Sequence, residues 1–292
     1  MTTARTALGL TLYLDEPLRW SHSHAGDLFG SFLALVGPER LRFWTNEAMS
    51  TWKRVDRDFL AHASSSISTG GMSRYIRHQY GIQIANDPGA PSLAFRYKEL
   101  DPARGPRASY LQIVLPLDHD PNDLVQLALE VANAYPVRFA AGGFVGTWNP
   151  QARTTAWTRL YGWSRRYLGL DLAYPERWSW HLAKGLPCPS WITLLGRRHM
   201  DALGIDGAAL LGRAWRQDVT AFPLPEAIVL RAGEQPSLGD RNCIHYPAAI
   251  AEVACALDPW MLVEPPPFPG RFTEEEATDA WLHRFAFPER WV

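Results

Sequence analysis

The residues able to do chemistry in this chain are scattered, and most have a structural use at the same position. His22-Ser23-His24 places two imidazoles on one side of an extended segment, as a pair of metal ligands would require. No carboxylate or cysteine of matching spacing lies near it in sequence, so two surface histidines ahead of a helix are expected. Asp118-His119-Asp120 has the order of an orienting carboxylate, a base and a second acid. Asp120, however, stands where a helix needs its N-terminal cap. In Gly239-Asp240-Arg241-Asn242 the aspartate could ligate a metal or act as an acid, but such a residue more commonly stabilises a turn. Cys243 and His245 would share one face of a strand, yet a cysteine dyad normally recruits its histidine from a distant segment. Gly142-Gly143-Phe144-Val145-Gly146 lacks phosphate-loop spacing and reads as a strand with a bulge or a close backbone approach. GxSxG, GxxxxGK[ST], HExxH and a helix-opening GxGxxG are all missing. No catalytic residue, no metal ligand and no cofactor is expected.

Two acidic groups remain: Glu274, Glu275, Glu276 and Asp279 near the end of the chain, and Asp118, Asp120 and Asp123 near its middle. Each could be a solvated helix start. Each could also fill a basic groove on a partner, where complementary charge speeds encounter and selects the right complex.

The elements that would position these residues alternate irregularly. Leu8, Leu10, Leu12 and Leu14 predict a half-buried strand, and Leu28, Phe29, Phe32, Leu35 and Val36 a helix stopped by Gly37-Pro38. A strand is expected at 40–45, a weaker helix at 52–60, and strands at 81–84, 92–97 and 110–115. Asp120, Pro121 and Asp123 then open a helix with Leu124, Leu127, Ala128 and Val131 on its buried face, ended by Pro136. A strand over 138–145, a helix over 152–168, a strand over 191–195 and a helix over 198–203 with Gly204 as its cap follow. A strand over 227–232 and a helix through Ile250, Val253, Ala254 and Leu257 complete the series. Adjacent strands without an intervening helix predict an α+β fold, its sheet mixed but mainly antiparallel and flanked by helices. The expected organisation is a single domain over 1–292, with two related halves, 1–150 and 151–292, as the alternative.

Composition narrows the classes. The 292 residues carry 29 basic and 30 acidic side chains, for a net charge of −1, and no long Lys/Arg run marks a nucleic-acid surface. No stretch nears the roughly 20 apolar residues of a membrane span, and the N-terminus lacks the apolar core of a signal peptide. Three cysteines without a CxxC pair fit a reducing cytoplasm, where free cysteine behaves as a small buried hydrophobe. Thirteen tryptophans raise the expectation of an aromatic surface, whether for a partner or for a homodimer.

Four stretches resemble one known family: Gly143-Phe144-Val145-Gly146 through Trp157, Arg165-Arg166-Tyr167-Leu168-Gly169-Leu170-Asp171, Trp191-Ile192-Thr193-Leu194-Leu195-Gly196, and Ala232-Gly233-Glu234-Gln235-Pro236-Ser237-Leu238-Gly239-Asp240. They are similar to the TsiV-type immunity proteins of type VI secretion systems, most specifically from about residue 140 to 257. The resemblance implies a non-catalytic protein that binds a cognate effector toxin, often a nuclease, and neutralises it by occluding its active site. It implies no cofactor, while the charge balance and the lack of a long apolar stretch lead to the expectation of no direct nucleic-acid contact and no membrane. A non-motif enzyme or a small-ligand module is the alternative. The matched glycines, Trp191 and Asp240 are expected to serve the fold rather than the contact. A nuclease must hold a positive field for phosphate, which makes the two acidic groups the candidate partner surfaces.

Overall fold

The computed structural model describes residues 2–18, 24–46, 51–56, 58–60, 63, 67, 80–100, 105, 107–274 and 276–291. His22, Ser23 and Glu275 lie outside the described residues, as does the side chain of His24. The strands are β1 (Ala4–Leu14), β2 (Phe43–Asn46), β3 (Lys53–Arg54), β4 (Gly81–Ala85), β5 (Ala94–Lys98), β6 (Ser109–Leu115), β7 (Val137–Trp148), β8 (Asp171–Leu172), β9 (Ile192–Gly196), β10 (Val219–Leu224) and β11 (Ala227–Ala232). The helices are α1 (His24–Val36), α2 (Asn122–Ala134), α3 (Arg153–Arg166), α4 (Pro175–Ser179), α5 (Arg197–Leu203), α6 (Gly207–Gly212), α7 (Ala248–Leu257) and α8 (Ala277–Leu282).

Ten strands form a continuous sheet in the order β10-β11-β9-β7-β1-β6-β5-β4-β2-β3, and β8 adds to β7 off that path. The β7–β8 pair is parallel and the other described strand pairs are antiparallel. This is the α+β architecture with a mixed, mainly antiparallel sheet that the element order predicts.

Several local expectations are corrected. β1 is buried on both faces over residues 7–14 rather than on one, because it lies mid-sheet between β6 and β7. The ladder passes Gly142 and Gly143 without a bulge, pairing Gly9 with Gly143; the irregularity falls at Tyr13/Leu14 instead. Gly143 answers a close approach: at φ 154°, a Cβ there would stand 3.0 Å from Ser190 Oγ and 3.2 Å from Trp191 Cβ. Asp120 accepts the Asn122 N–H at 2.9 Å, but Pro121 takes the cap position of α2. In the region read as a weak helix, Lys53 and Arg54 pair with β2, and only residues 58–60 are helical among those described. Cys188 is buried, whereas Cys243 and Cys255 are exposed, so only one cysteine acts as a core residue.

The two sheet faces are built differently. Phe29 and Phe32 of α1 pack on Phe95 of β5, with ring centroids 5.0 and 5.5 Å away. α2 lies against β1, β7, β9 and β11. Burial, with Asp27 of α1 nearby, pushes the Tyr135 phenol at the end of α2 up to about 12. Successive strand side chains point to opposite faces, so Arg96 faces away from α1. On that second face α4 meets the sheet, its Glu176 paired with Arg96. An aromatic cluster joins α3 to the last segments of the chain. Trp157 stacks on Phe268 at 5.5 Å and meets Phe272 edge-on at 6.0 Å, while Phe268 meets Trp281 at 5.2 Å.

Candidate functional site

The second face leaves a groove because the strands place small residues side by side beneath it. Register aligns Ala85, Ala94, Val114, Gly9 and Gly143 in one row across β4, β5, β6, β1 and β7. Two residues along, Gln83, Arg96, Gln112 and Thr11 form a polar row, in which Gln112 Nε2 donates to Thr11 Oγ1 at 3.1 Å. Over Ala94 and Val114 these short side chains leave open space, whereas Val145 closes over Gly9 and Trp191 over Gly143. A cavity of about 220 Å³ results, with Trp52, Trp148 and Tyr174 among its walls and Pro88, Pro91 and Pro150 beside them.

The walls are anchored. Trp148 Nε1 donates to the Ala173 carbonyl at 3.2 Å, and its ring lies 5.4 Å from Trp157 and 5.8 Å from Tyr174. At the groove floor Arg96 pairs with Glu176, with the guanidinium 5.5 Å from the Tyr110 ring centroid. Burial opposes the Arg96 charge, but the Glu176 carboxylate and Tyr110 more than offset this and hold it above its ordinary value. Burial drives the Tyr110 phenol well up, so it stays a neutral hydroxyl. The groove therefore offers apolar and aromatic contact over a floor whose formal charges already cancel.

A second polar centre lies deeper. Arg284 is 2% exposed and donates to the carbonyls of Leu168 at 2.7 Å and Trp281 at 2.8 Å. It also stands 3.1 Å from the Cys188 thiol, which burial pushes up to about 11. Asp171 has its carboxyl raised to about 6 by burial, which Arg284 and the Leu172 N–H only partly counter. These contacts tie β8 to the C-terminal segments. Among the described residues, no three His, Cys, Asp or Glu side chains gather as a metal site would need.

The motif residues fall where backbone demands place them. Asp240 accepts from Nε and Nη2 of Arg166 at 2.7–3.2 Å and from the Asn242 N–H at 3.0 Å, so it holds a turn. Residues 241–243 are a 3-10 turn rather than a strand, and Cys243 Sγ sits 3.8 Å from Asp240, so no thiolate–imidazole pair forms on a shared strand face. A Cβ on Gly196 would overlap the Val137 carbonyl oxygen, and one on Gly169 that of Ser237. Trp191 is buried and donates to the Gly233 carbonyl at 2.9 Å.

The acidic groups are partly spoken for. Asp279 pairs with Arg290 at 2.6 Å and with His283 at 3.6 Å, while Glu274 and Glu276 are exposed. Asp123 pairs with His119 at 2.8 Å, Asp120 closes its own turn, and Asp118 is exposed. The groove residues Trp52, Arg96 and Glu176 escape sequence reading, because they come from segments joined only by strand register and by α4. The high tryptophan count was the one available signal.

The fold is shared with a solved structure. The Pseudomonas aeruginosa T6SS protein PA0821 superposes with a TM-score of 0.77 at 18% identity, over 99% of this chain and 85% of that one. A comparison with curated proteins returns no match. The profile of the family described as "TsiV: Type VI immunity for VRR-NUC" matches residues 29–285, which takes in strands β2 to β11, the groove walls and the aromatic cluster, with β1 ahead of the matched span. The chain belongs to that family of type VI immunity proteins.

Proposed function

We propose that the chain neutralises a nuclease effector by binding it and covering its active site, without catalysis of its own. The family match over 29–285 carries this reading. The geometry supports it, because the groove is rimmed by aromatic rings on rigid elements while its floor pair is already neutralised. Glu274, Glu276 and Asp118 are exposed, and their carboxylates would complement positive surface around a nuclease active site.

Calorimetric titration against a VRR-NUC nuclease effector, with a nuclease assay on the same mixtures, tests the proposal. A 1:1 complex in which activity falls in proportion to occupancy is expected. Absence of binding, or a complex that retains full nuclease activity, would overturn it. Charge reversal at Glu274 and Glu276, and separately at Asp118, should weaken the complex and flatten its salt dependence. Folded variants with unchanged affinity remove the acidic zones from the interface.

A further inference from the structure

Beside the groove lies a surface of opposite sign, assembled where α4 ends. The Ala108 N–H donates to the Ser179 carbonyl at 2.8 Å, fastening the segment before β6 to the end of α4. That bond brings the Arg107 guanidinium to 3.1 Å from the centroid of the Trp180 ring. Trp180 is 46% exposed, so one of the largest apolar side chains stands in solvent with a cation stacked on it. Arg177 sits 5.6 Å from the Tyr174 ring, and Lys184 follows on the short 3-10 turn Leu182–Lys184. Tyr174, Glu176, Arg177, Trp180, His181 and Lys184 line a depression of about 420 Å³.

The charge is unbalanced here. Glu176, the carboxylate of this lining, is turned to Arg96. Among the described residues no carboxylate forms an ion pair with Arg107, Arg177 or Lys184. Burial, then the nearby Lys184 and Arg177, lower the His181 imidazole. The depression shares Tyr174 and Glu176 with the groove, so an occupant of one continues over the other.

We infer that the surface of Arg107, Trp180, Arg177 and Lys184 docks an acidic, carboxylate-bearing segment of the effector, an inference that rests on the effector-binding reading above. A guanidinium stacked on an aromatic ring keeps its edge N–H groups free for a bidentate carboxylate, and Trp and Arg are the residues that dominate interface energies. Nucleic acid fits less well. A phosphate backbone calls for cations in a track, whereas Arg107 stacks on Trp180, Arg177 lies against Tyr174 and Lys184 lines the same depression beside a charge-balanced groove.

Titration of the unmodified chain, Trp180→Ala and Lys184→Glu with the same effector tests the inference, each variant first shown to keep its thermal transition. Both should lose tenfold or more in affinity, and Lys184→Glu should also flatten the salt dependence. A synthetic Glu/Asp-rich peptide should compete with the effector for the unmodified chain, and a single-stranded oligonucleotide should not. Unchanged affinity in folded variants overturns the inference while leaving effector binding intact. Oligonucleotide binding that depends on Trp180 overturns it too, as does self-association of the chain that Trp180→Ala abolishes. An effector that fails to bind even the unmodified chain overturns the parent reading instead.

Discussion

Around Trp157 the aromatic rings close on one another on every side, whereas the groove rings Trp148 and Tyr174 touch that cluster on one side and face open space on the other. Trp157, Trp281, Phe268 and Phe272 are fully buried, and their partners are other rings. Trp52, Trp148 and Tyr174 are half-buried, and Trp180 is the most exposed. Trp148 belongs to both regions, touching Trp157 on one side and lining the groove on the other. Rings supply large contact area with few rotatable bonds, so a rim anchored on a packed cluster needs little ordering when a partner arrives. The difference between the two regions is the presence of covering chain. Residues 268–291 cover the first, and the row of small side chains leaves the second open.

Substitutions should separate the two uses, beginning with the closed region. Trp157→Ala removes a fully buried ring and should cost about 3–5 kcal/mol in denaturant unfolding, with binding lost only through unfolding. Intact stability would mean that the cluster is not core.

The polar centre beneath the cluster gives the next effect. A carboxylic acid whose folded value is raised binds its proton more tightly folded than unfolded. Asp171 therefore contributes most stability below its ordinary value of 3.8, and that contribution declines as pH rises to about 6. Asp171→Asn should raise stability at pH 7 by on the order of 2–3 kcal/mol and flatten the decline between those values. Melting curves across pH measure it; an unchanged slope would remove Asp171 from the balance.

Gly196→Ala comes third, at about 1–3 kcal/mol of lost stability by thermal melting, because the new methyl must push away the Val137 carbonyl. Least affected is Trp180→Ala, which should shift stability by no more than ~1 kcal/mol, the scale of one exposed cation–π contact. Its effect belongs to binding. A large loss of stability there would place Trp180 with Trp157 and erase the contrast.

Local pattern carried the elements whose burial and punctuation agree. Residues 227–232 coincide with β11, Pro136 bounds α2, and Gly204 ends α5 in the left-handed conformation at φ 70°. It failed where pairing decides. β10 contains Pro223 and few buried residues, so it reads as loop until β11 pairs with it. Lys53 and Arg54 become strand for the same reason.

The sequence by itself determined that sheet and helices would mix in an α+β fold, and that its matched glycines and Asp240 would serve backbone geometry. Steric demand and turn hydrogen bonding act over a few residues, and residue type records them. Only the tertiary structure decided that Asp279 and Asp123 would find partners, whereas among the described residues no carboxylate pairs with Arg107, Arg177 or Lys184. It also decided which rings close into a core and which rim an open groove. Charge balance and cover depend on what the far parts of the chain bring alongside, and no local spacing encodes that.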